Sequence, residues 1–118
     1  MLRFLRSAKF ALNGILYGLR TERNVQITVG VMVFTILIGF LLNISQTEML
    51  IVLLWMFGIG AVEYINTSIE KLADRVTTDY DEQIKYVKDM SAGATFIVSI
   101  GAAISCLFIL VPKIITLF

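Results

Sequence analysis

The chain has 118 residues, of which 58% are hydrophobic and only 16% are charged, and its mean hydropathy is +0.85. That composition is too apolar for a water-soluble domain of this length, so we interpret residues 1–118 as one all-α integral membrane domain. The formal net charge of +1 is uninformative by itself, but the absence of histidine excludes histidine acid/base chemistry, phosphohistidine intermediates and most zinc sites.

The first predicted element is an amphipathic helix over about residues 3–20. Its apolar residues recur at spacings of three and four, while Arg3, Arg6 and Lys9 fall mostly on the other side. A helix of this kind is expected to lie on a membrane surface that carries anionic headgroups. A cleaved signal peptide is the alternative, but Arg20, Glu22 and Arg23 follow without a small-residue cleavage pattern.

Three apolar segments follow, over about residues 25–42, 48–69 and 90–111, and each is long enough to cross a bilayer. The first two are joined by a polar turn over residues 43–48, which contains no basic residue. Residues 71–88 form a charged segment, predicted to be a helix and then a loop around residues 77–81. All basic residues except Lys113 precede the third span, so the positive-inside rule places the amino terminus and the charged segment in the cytoplasm.

The cytoplasmic end of the second span carries polar side chains where an apolar helix should have none. At about 100° per residue, Glu63, Asn66, Glu70 and Asp74 fall within about 80° of one another on a helix. Glu63 directly follows an uncharged run over residues 49–62. An ionised carboxylate in hydrocarbon is costly and needs a partner or a function, so we predict a functional site on this face.

Lys88 and Asp89 at the start of the third span, and Glu22 in the hinge before the first, can join that site. Carboxylate and amide oxygens suit Mg²⁺, and phosphoryl transfer needs metal ions, a cation and a carboxylate base. We therefore expect Glu70 and Glu22 to bind Mg²⁺, Lys88 to neutralise phosphate charge, and the more deeply placed Glu63 to act as the base.

Structural alternatives remain for several of these charged residues. Glu22 could be a solvated surface acid, and the Lys88-Asp89 pair could be an interfacial anchor. Solvated pairing with Lys71, Arg75 or Lys85 is the favoured interpretation of four other acids, namely Asp74, Asp79, Asp81 and Glu82. The chain contains no glycine-rich phosphate loop and no soluble-kinase catalytic motif, so a nucleotide would have to be held in another way.

The pattern Glu63-x-x-Asn66-Thr67-x-Ile69-Glu70-x-x-x-Asp74-Arg75, followed by Lys88-Asp89-Met90, resembles the signature of the prokaryotic diacylglycerol kinase family. The resemblance covers nearly the whole chain, including the surface helix, the three spans and the Glu22 hinge. It implies a small homotrimeric membrane lipid kinase that uses Mg²⁺ and ATP, with active sites shared between protomers at the cytoplasmic membrane surface.

The resemblance also implies residue roles. Glu63 would be the base that activates the lipid hydroxyl, Asn66 would orient the reacting groups, and Glu22 and Glu70 would bind Mg²⁺. The γ-phosphoryl group would pass directly to the lipid without a phosphoenzyme. The remaining ATP contacts would be Arg3, Phe10, Asp79, Tyr80, Asp81, Lys88 and Asp89.

The form Lys88-Asp89-Met90-Ser91-Ala92-Gly93-Ala94 is similar to the Lys-Asp-Met-Ala-Ala-Gly-Ala of Gram-positive members, many of which phosphorylate undecaprenol. Undecaprenol is therefore the expected acceptor and diacylglycerol the alternative, since both present a primary hydroxyl above apolar chains. Two positions depart from the commoner family pattern: Ala92, where some members have serine, and Thr67, a conservative replacement of serine.

Two other classes of membrane protein are alternatives to a lipid kinase. A small proton-coupled multidrug transporter also has a membrane-embedded glutamate in a short chain, but it would need four spans, and the sequence predicts three. A non-catalytic membrane subunit would leave the aligned acids unexplained.

Overall fold

The structure, a computed structural model, describes all residues from Met1 to Phe118 and consists of four α-helices. They are α1 (Leu2–Thr21), α2 (Arg23–Leu41), α3 (Gln46–Val76) and α4 (Glu82–Ile115). Three of them, α2, α3 and α4, are long and apolar enough to cross a membrane. The predicted all-helical class with three candidate spans is therefore confirmed.

Local capping signals set the ends of α3. Asn43 adopts a left-handed backbone with φ 54°, which ends the preceding helix, and Ser45 then caps α3. The Ser45 hydroxyl accepts from the Glu48 amide at 3.1 Å, while the Ser45 amide donates to the Glu48 carboxylate at 2.9 Å. This reciprocal capping box satisfies two backbone groups that would otherwise lack partners.

The charged segment after the second predicted span is largely helical. Helix α3 continues without a break to Val76, and a short loop over residues 77–81 leads into α4 at Glu82. The Asp81 carboxylate caps α4 by accepting from the Ile84 amide at 3.0 Å. Helix α4 contains Pro112, which has no N–H to donate to the preceding turn, and it ends three residues later at Ile115.

Helix α3 packs between α2 and α4 around a small apolar core. Its buried members are Val52 and Met56 on α3 with Ala102, Cys106 and Ile109 on α4. At Gly101 of α4, the Trp55 ring of α3 occupies the space that a Cβ atom would need. Of the two glycines on α3, Gly60 lies under the Met32 sulfur, whereas Gly58 faces open space.

Most large apolar side chains point away from this core. Leu54 and Phe57 on α3 and Phe96 and Phe108 on α4 are all mainly exposed in the single chain. Long helices with apolar outer surfaces need lipid or another subunit to cover them. This surface agrees with helices that sit in a bilayer.

Helix α1 is fastened to the bundle near its carboxyl end. The Tyr64 hydroxyl on α3 donates to the Ile15 carbonyl at 2.7 Å, and the Tyr64 ring lies against buried Gly18. Gln26 of α2 also donates to the Leu19 carbonyl at 2.9 Å. The amino-terminal half of α1 is exposed, and its location on a membrane surface stays a prediction.

We expect Gly101→Ala to destabilise the protein by about 1–3 kcal/mol, because the new methyl group overlaps the rigid Trp55 ring. Thermal unfolding in detergent micelles, followed by circular dichroism, measures the loss. Gly93→Ala is the matched control, since a Cβ at this α4 position meets no atom within 4 Å. Equal effects of the two substitutions would contradict the close α3–α4 contact.

Candidate active site

A buried polar cluster lies between α3 and α4, on the side of the core nearer the 77–81 loop. Asn66 and Thr67 on α3 and Ser91 on α4 are all at least nine-tenths buried. The Ser91 hydroxyl donates to the Asn66 Oδ1 at 2.7 Å, and the Asn66 Nδ2 donates to the Glu70 Oε1 at 3.2 Å. Three side chains from two helices thus form one hydrogen-bonded chain that ends on a carboxylate.

Glu63 lies two turns before Glu70 on the same face of α3, and its side chain is half-buried. The Thr67 hydroxyl is 3.4 Å from the Glu63 Oε1, at the long end of the hydrogen-bond range. This weak contact leaves the carboxylate free to interact with another group. The predicted alignment of Glu63, Asn66 and Glu70 along one helix is present in the structure.

The hinge between α1 and α2 is held against α3 by an ion pair. The Lys71 Nζ lies 2.7 Å from the Glu22 Oε1 and 5.9 Å from the centre of the Tyr17 ring. The hydrogen bond from Lys71 holds the pKa of Glu22 below its ordinary value, so the carboxylate stays ionised. Through this ion pair, Glu22 contacts Lys71, which directly follows Glu70 on α3.

The 77–81 loop, the end of α3 and the first turns of α4 line an open cavity of about 470 Å³, which we call the loop cavity. Lys88 forms an ion pair with Asp74 across α3 and α4, and Lys85 lies 2.7 Å from Asp89 within α4. The cavity wall is therefore rich in charge of both signs. Five residues predicted to contact ATP line it, namely Asp79, Tyr80, Asp81, Lys88 and Asp89.

The structure does not bring all of the predicted site residues together. Arg3 and Phe10 lie on the exposed part of α1 and do not line the loop cavity. Glu22 contacts Lys71, and Glu70 contacts Asn66. No group of three or more acidic or cysteine side chains in the chain has an arrangement suited to a metal ion. The assignments of ATP and Mg²⁺ to particular residues therefore stay predictions.

Sequence reasoning missed two residues that organise this site. Ser91 is not among the predicted site residues. Its position one turn after Lys88, at the start of an apolar segment, is the feature of the sequence that could have indicated it. Lys71 was considered only as a general partner for nearby acids. Among the acids expected to be solvated, Asp74 pairs with Lys88 rather than with Lys71, Arg75 or Lys85.

Comparison with known proteins places this chain in a family. Residues 9–110 match the model of the family described as prokaryotic diacylglycerol kinase. The chain is 34% identical over 111 residues to an undecaprenol kinase of Bacillus subtilis, an alignment that covers 94% of this chain and 90% of that protein.

Two proteins named diacylglycerol kinase are also similar. The protein of Synechocystis is 30% identical over 114 residues, covering 96% of this chain and 65% of that protein. The protein of Pseudomonas aeruginosa is 30% identical over 95 residues, covering 80% of this chain and 77% of that protein. Because the family model spans most of the chain, this protein belongs to the prokaryotic diacylglycerol kinase family and is a lipid kinase.

Proposed function

We propose that this lipid kinase transfers the γ-phosphoryl group of Mg-ATP to the hydroxyl of undecaprenol at the cytoplasmic surface of the cell membrane. The observation that carries the proposal is the row Glu63, Asn66 and Glu70, which is hydrogen-bonded to α4 beside the loop cavity. The similarity to the undecaprenol kinase of Bacillus subtilis over most of both chains supports the acceptor.

In the proposed reaction, Glu63 takes the proton from the lipid hydroxyl as its oxygen attacks the γ-phosphorus. The bond from that phosphorus to the β,γ-bridging oxygen breaks, and ADP leaves. Asn66 orients the reacting groups, and the loop cavity holds the nucleotide with Lys88 opposite its phosphates. These roles agree with what phosphoryl transfer requires, which is positioning and charge neutralisation more than covalent chemistry.

The residues of this chain fit Mg²⁺, because Glu70 and Glu22 offer hard carboxylate oxygens and Asn66 holds Glu70 by one oxygen only. Nucleotide-bound Mg²⁺ is usually held by one or two carboxylates together with the phosphates, so two protein ligands suffice. When bound, the ion would offset the charge of the phosphate oxygens. The hydrogen bond from Asn66 would keep the Glu70 carboxylate in one orientation.

The proposal includes a homotrimer whose α1 helices lie on the membrane surface. Arg3, Arg6 and Lys9 on α1 would face anionic headgroups there, and the concentration of basic residues before the third span supports a site on the cytoplasmic side. Because Arg3 and Phe10 lie away from the loop cavity of their own chain, the proposed ATP contacts are better supplied by another protomer.

Diacylglycerol is the second candidate acceptor, favoured by the names of the two relatives at 30% identity. The small multidrug transporter would need four spans, whereas the structure has three candidate spans and the chain belongs to a kinase family.

The first test is transfer of labelled phosphate from ATP by the purified protein in mixed micelles, with undecaprenol and diacylglycerol offered separately. We expect faster phosphorylation of undecaprenol, and we expect Glu63→Gln to lower kcat by about 10²–10⁴ because the base is lost. The melting temperature of Glu63→Gln serves as the folding control. Preference for diacylglycerol would replace the acceptor, and transfer to neither lipid would refute the proposal.

Activity should disappear on chelation with EDTA and return with added Mg²⁺. In Glu70→Gln, the Mg²⁺ concentration for half-maximal activity should rise by about tenfold or more, since one carboxylate ligand is lost. Glu82→Gln, an exposed acid that accepts from the Tyr86 hydroxyl, is the matched control. Identical Mg²⁺ dependence in the two variants would contradict the role of Glu70.

The Glu22–Lys71 ion pair gives a prediction about pH. Lys71→Met should raise the pKa of Glu22, because the hydrogen bond that favours the carboxylate is removed. Since the folded pKa is the lower one, the pair stabilises the fold above the ordinary glutamate pKa, and this contribution is lost as the pH falls through the lowered value. A ¹³C NMR titration of the Glu22 carboxyl measures the shift.

Lys85→Met is the control for that titration, because Lys85 pairs with Asp89 on α4. The Lys85→Met variant should have the same Glu22 pKa as the unaltered protein. A Glu22 pKa that does not respond to Lys71→Met would show that the ion pair does not persist in solution.

A further inference from the structure

We propose that Ser91 is a positioning residue of the active site, whose hydroxyl fixes the orientation of the Asn66 amide and, through it, the Glu70 carboxylate. This inference rests on the proposed function, which places Asn66 and Glu70 in the kinase site. It adds a buried hydroxyl group of α4 to the row of Glu63, Asn66 and Glu70 on α3.

The direction of the hydrogen-bond chain follows from what each group can donate. A carboxylate oxygen accepts hydrogen bonds, so the Asn66 group that faces Glu70 is the NH₂. The Asn66 Oδ1 then points towards α4 and needs a donor. The Ser91 hydroxyl, 2.7 Å away, supplies the proton, so the order of the three side chains determines the amide orientation.

Burial makes this hydrogen bond difficult to replace. Asn66 is 6% exposed and Ser91 is 8% exposed, and both lie at the contact between α3 and α4. Without the Ser91 hydroxyl, the Asn66 oxygen would be buried unpaired or the amide would have to rotate. Rotation would also break the 3.2 Å bond to Glu70, which is the weaker of the two.

Ser91 also connects the two halves of the site. It lies one turn after Lys88 on α4, and Lys88 pairs with Asp74 on α3. The ion pair lies at the charged loop cavity, whereas the Ser91–Asn66 bond lies in the buried interface. The two contacts together hold the predicted nucleotide residues of α4 in one register with the carboxylates of α3.

The kinetic test compares Ser91→Ala with the unaltered protein in the same mixed micelles. We expect kcat to fall by about three- to tenfold, the usual effect of one lost hydrogen bond, because the amide orients groups that react only when both substrates are bound. The KM for lipid should stay within about twofold, because no lipid contact is removed. Ser99→Ala, an exposed serine two turns further along α4, should leave kcat unchanged.

Ser91→Cys separates positioning from packing. A cysteine fills the space of the serine, but its thiol is a weak hydrogen-bond donor. If Ser91 positions Asn66, Ser91→Cys stays impaired like Ser91→Ala, with a melting temperature near that of the unaltered protein. If Ser91→Cys restores kcat, Ser91 only fills space, and the proposal is refuted.

A second readout does not depend on activity. The side-chain ¹⁵N-amide signals of Asn66, assigned by their loss in Asn66→Asp, should shift and exchange faster with solvent in Ser91→Ala. Unchanged signals, or a kcat within twofold of the Ser99→Ala control, would overturn the role of Ser91. These results differ from a failure of the proposed function, in which the unaltered protein itself would phosphorylate neither lipid.

Discussion

The amide of Asn66 is the contact on which the site depends. It lies between two apolar helices, where an unpaired polar group is costly, and both of its ends are satisfied by Ser91 and Glu70. No buried side-chain nitrogen or oxygen in the chain lacks a hydrogen-bond partner. A polar cluster can therefore be placed at this depth without an unpaired group, and the carboxylate at its end is held by a rigid interface.

The contact between α3 and α4 has two parts, the apolar core and the polar cluster that lies nearer the 77–81 loop. Further from the loop, the Trp55 ring packs directly against Gly101. Towards the loop, polar pairs replace apolar packing and the helices end around the loop cavity. The groups that we propose for phosphoryl transfer are thus carried by long helices that pack against each other, which favours precise positioning.

Features that depend on residues close together in the sequence could be predicted from it. Contacts that depend on how one helix is rotated against another could not. The alternation of apolar and polar segments predicted four helices, and the 3.6-residue period aligned Glu63, Asn66 and Glu70. The Ser91–Asn66 pair joins residues 25 apart in the chain. Periodicity gives the face of each helix, but it does not determine which residues of two faces meet. The residue roles and the acceptor came from family resemblance and remain predictions.

The position of helix α1 relative to the loop cavity determines whether one chain can supply every predicted nucleotide contact. Tyr64 and the Glu22–Lys71 pair fasten the carboxyl-terminal part of α1 to α3, so its amino-terminal part cannot swing freely about the hinge. Neither Arg3 nor Phe10 lines the loop cavity of its own chain. If both contact the nucleotide as the resemblance implies, a neighbouring protomer must present them. A shared site of that kind would make the kinase inactive as a monomer, because each cavity would lack the residues that another chain supplies.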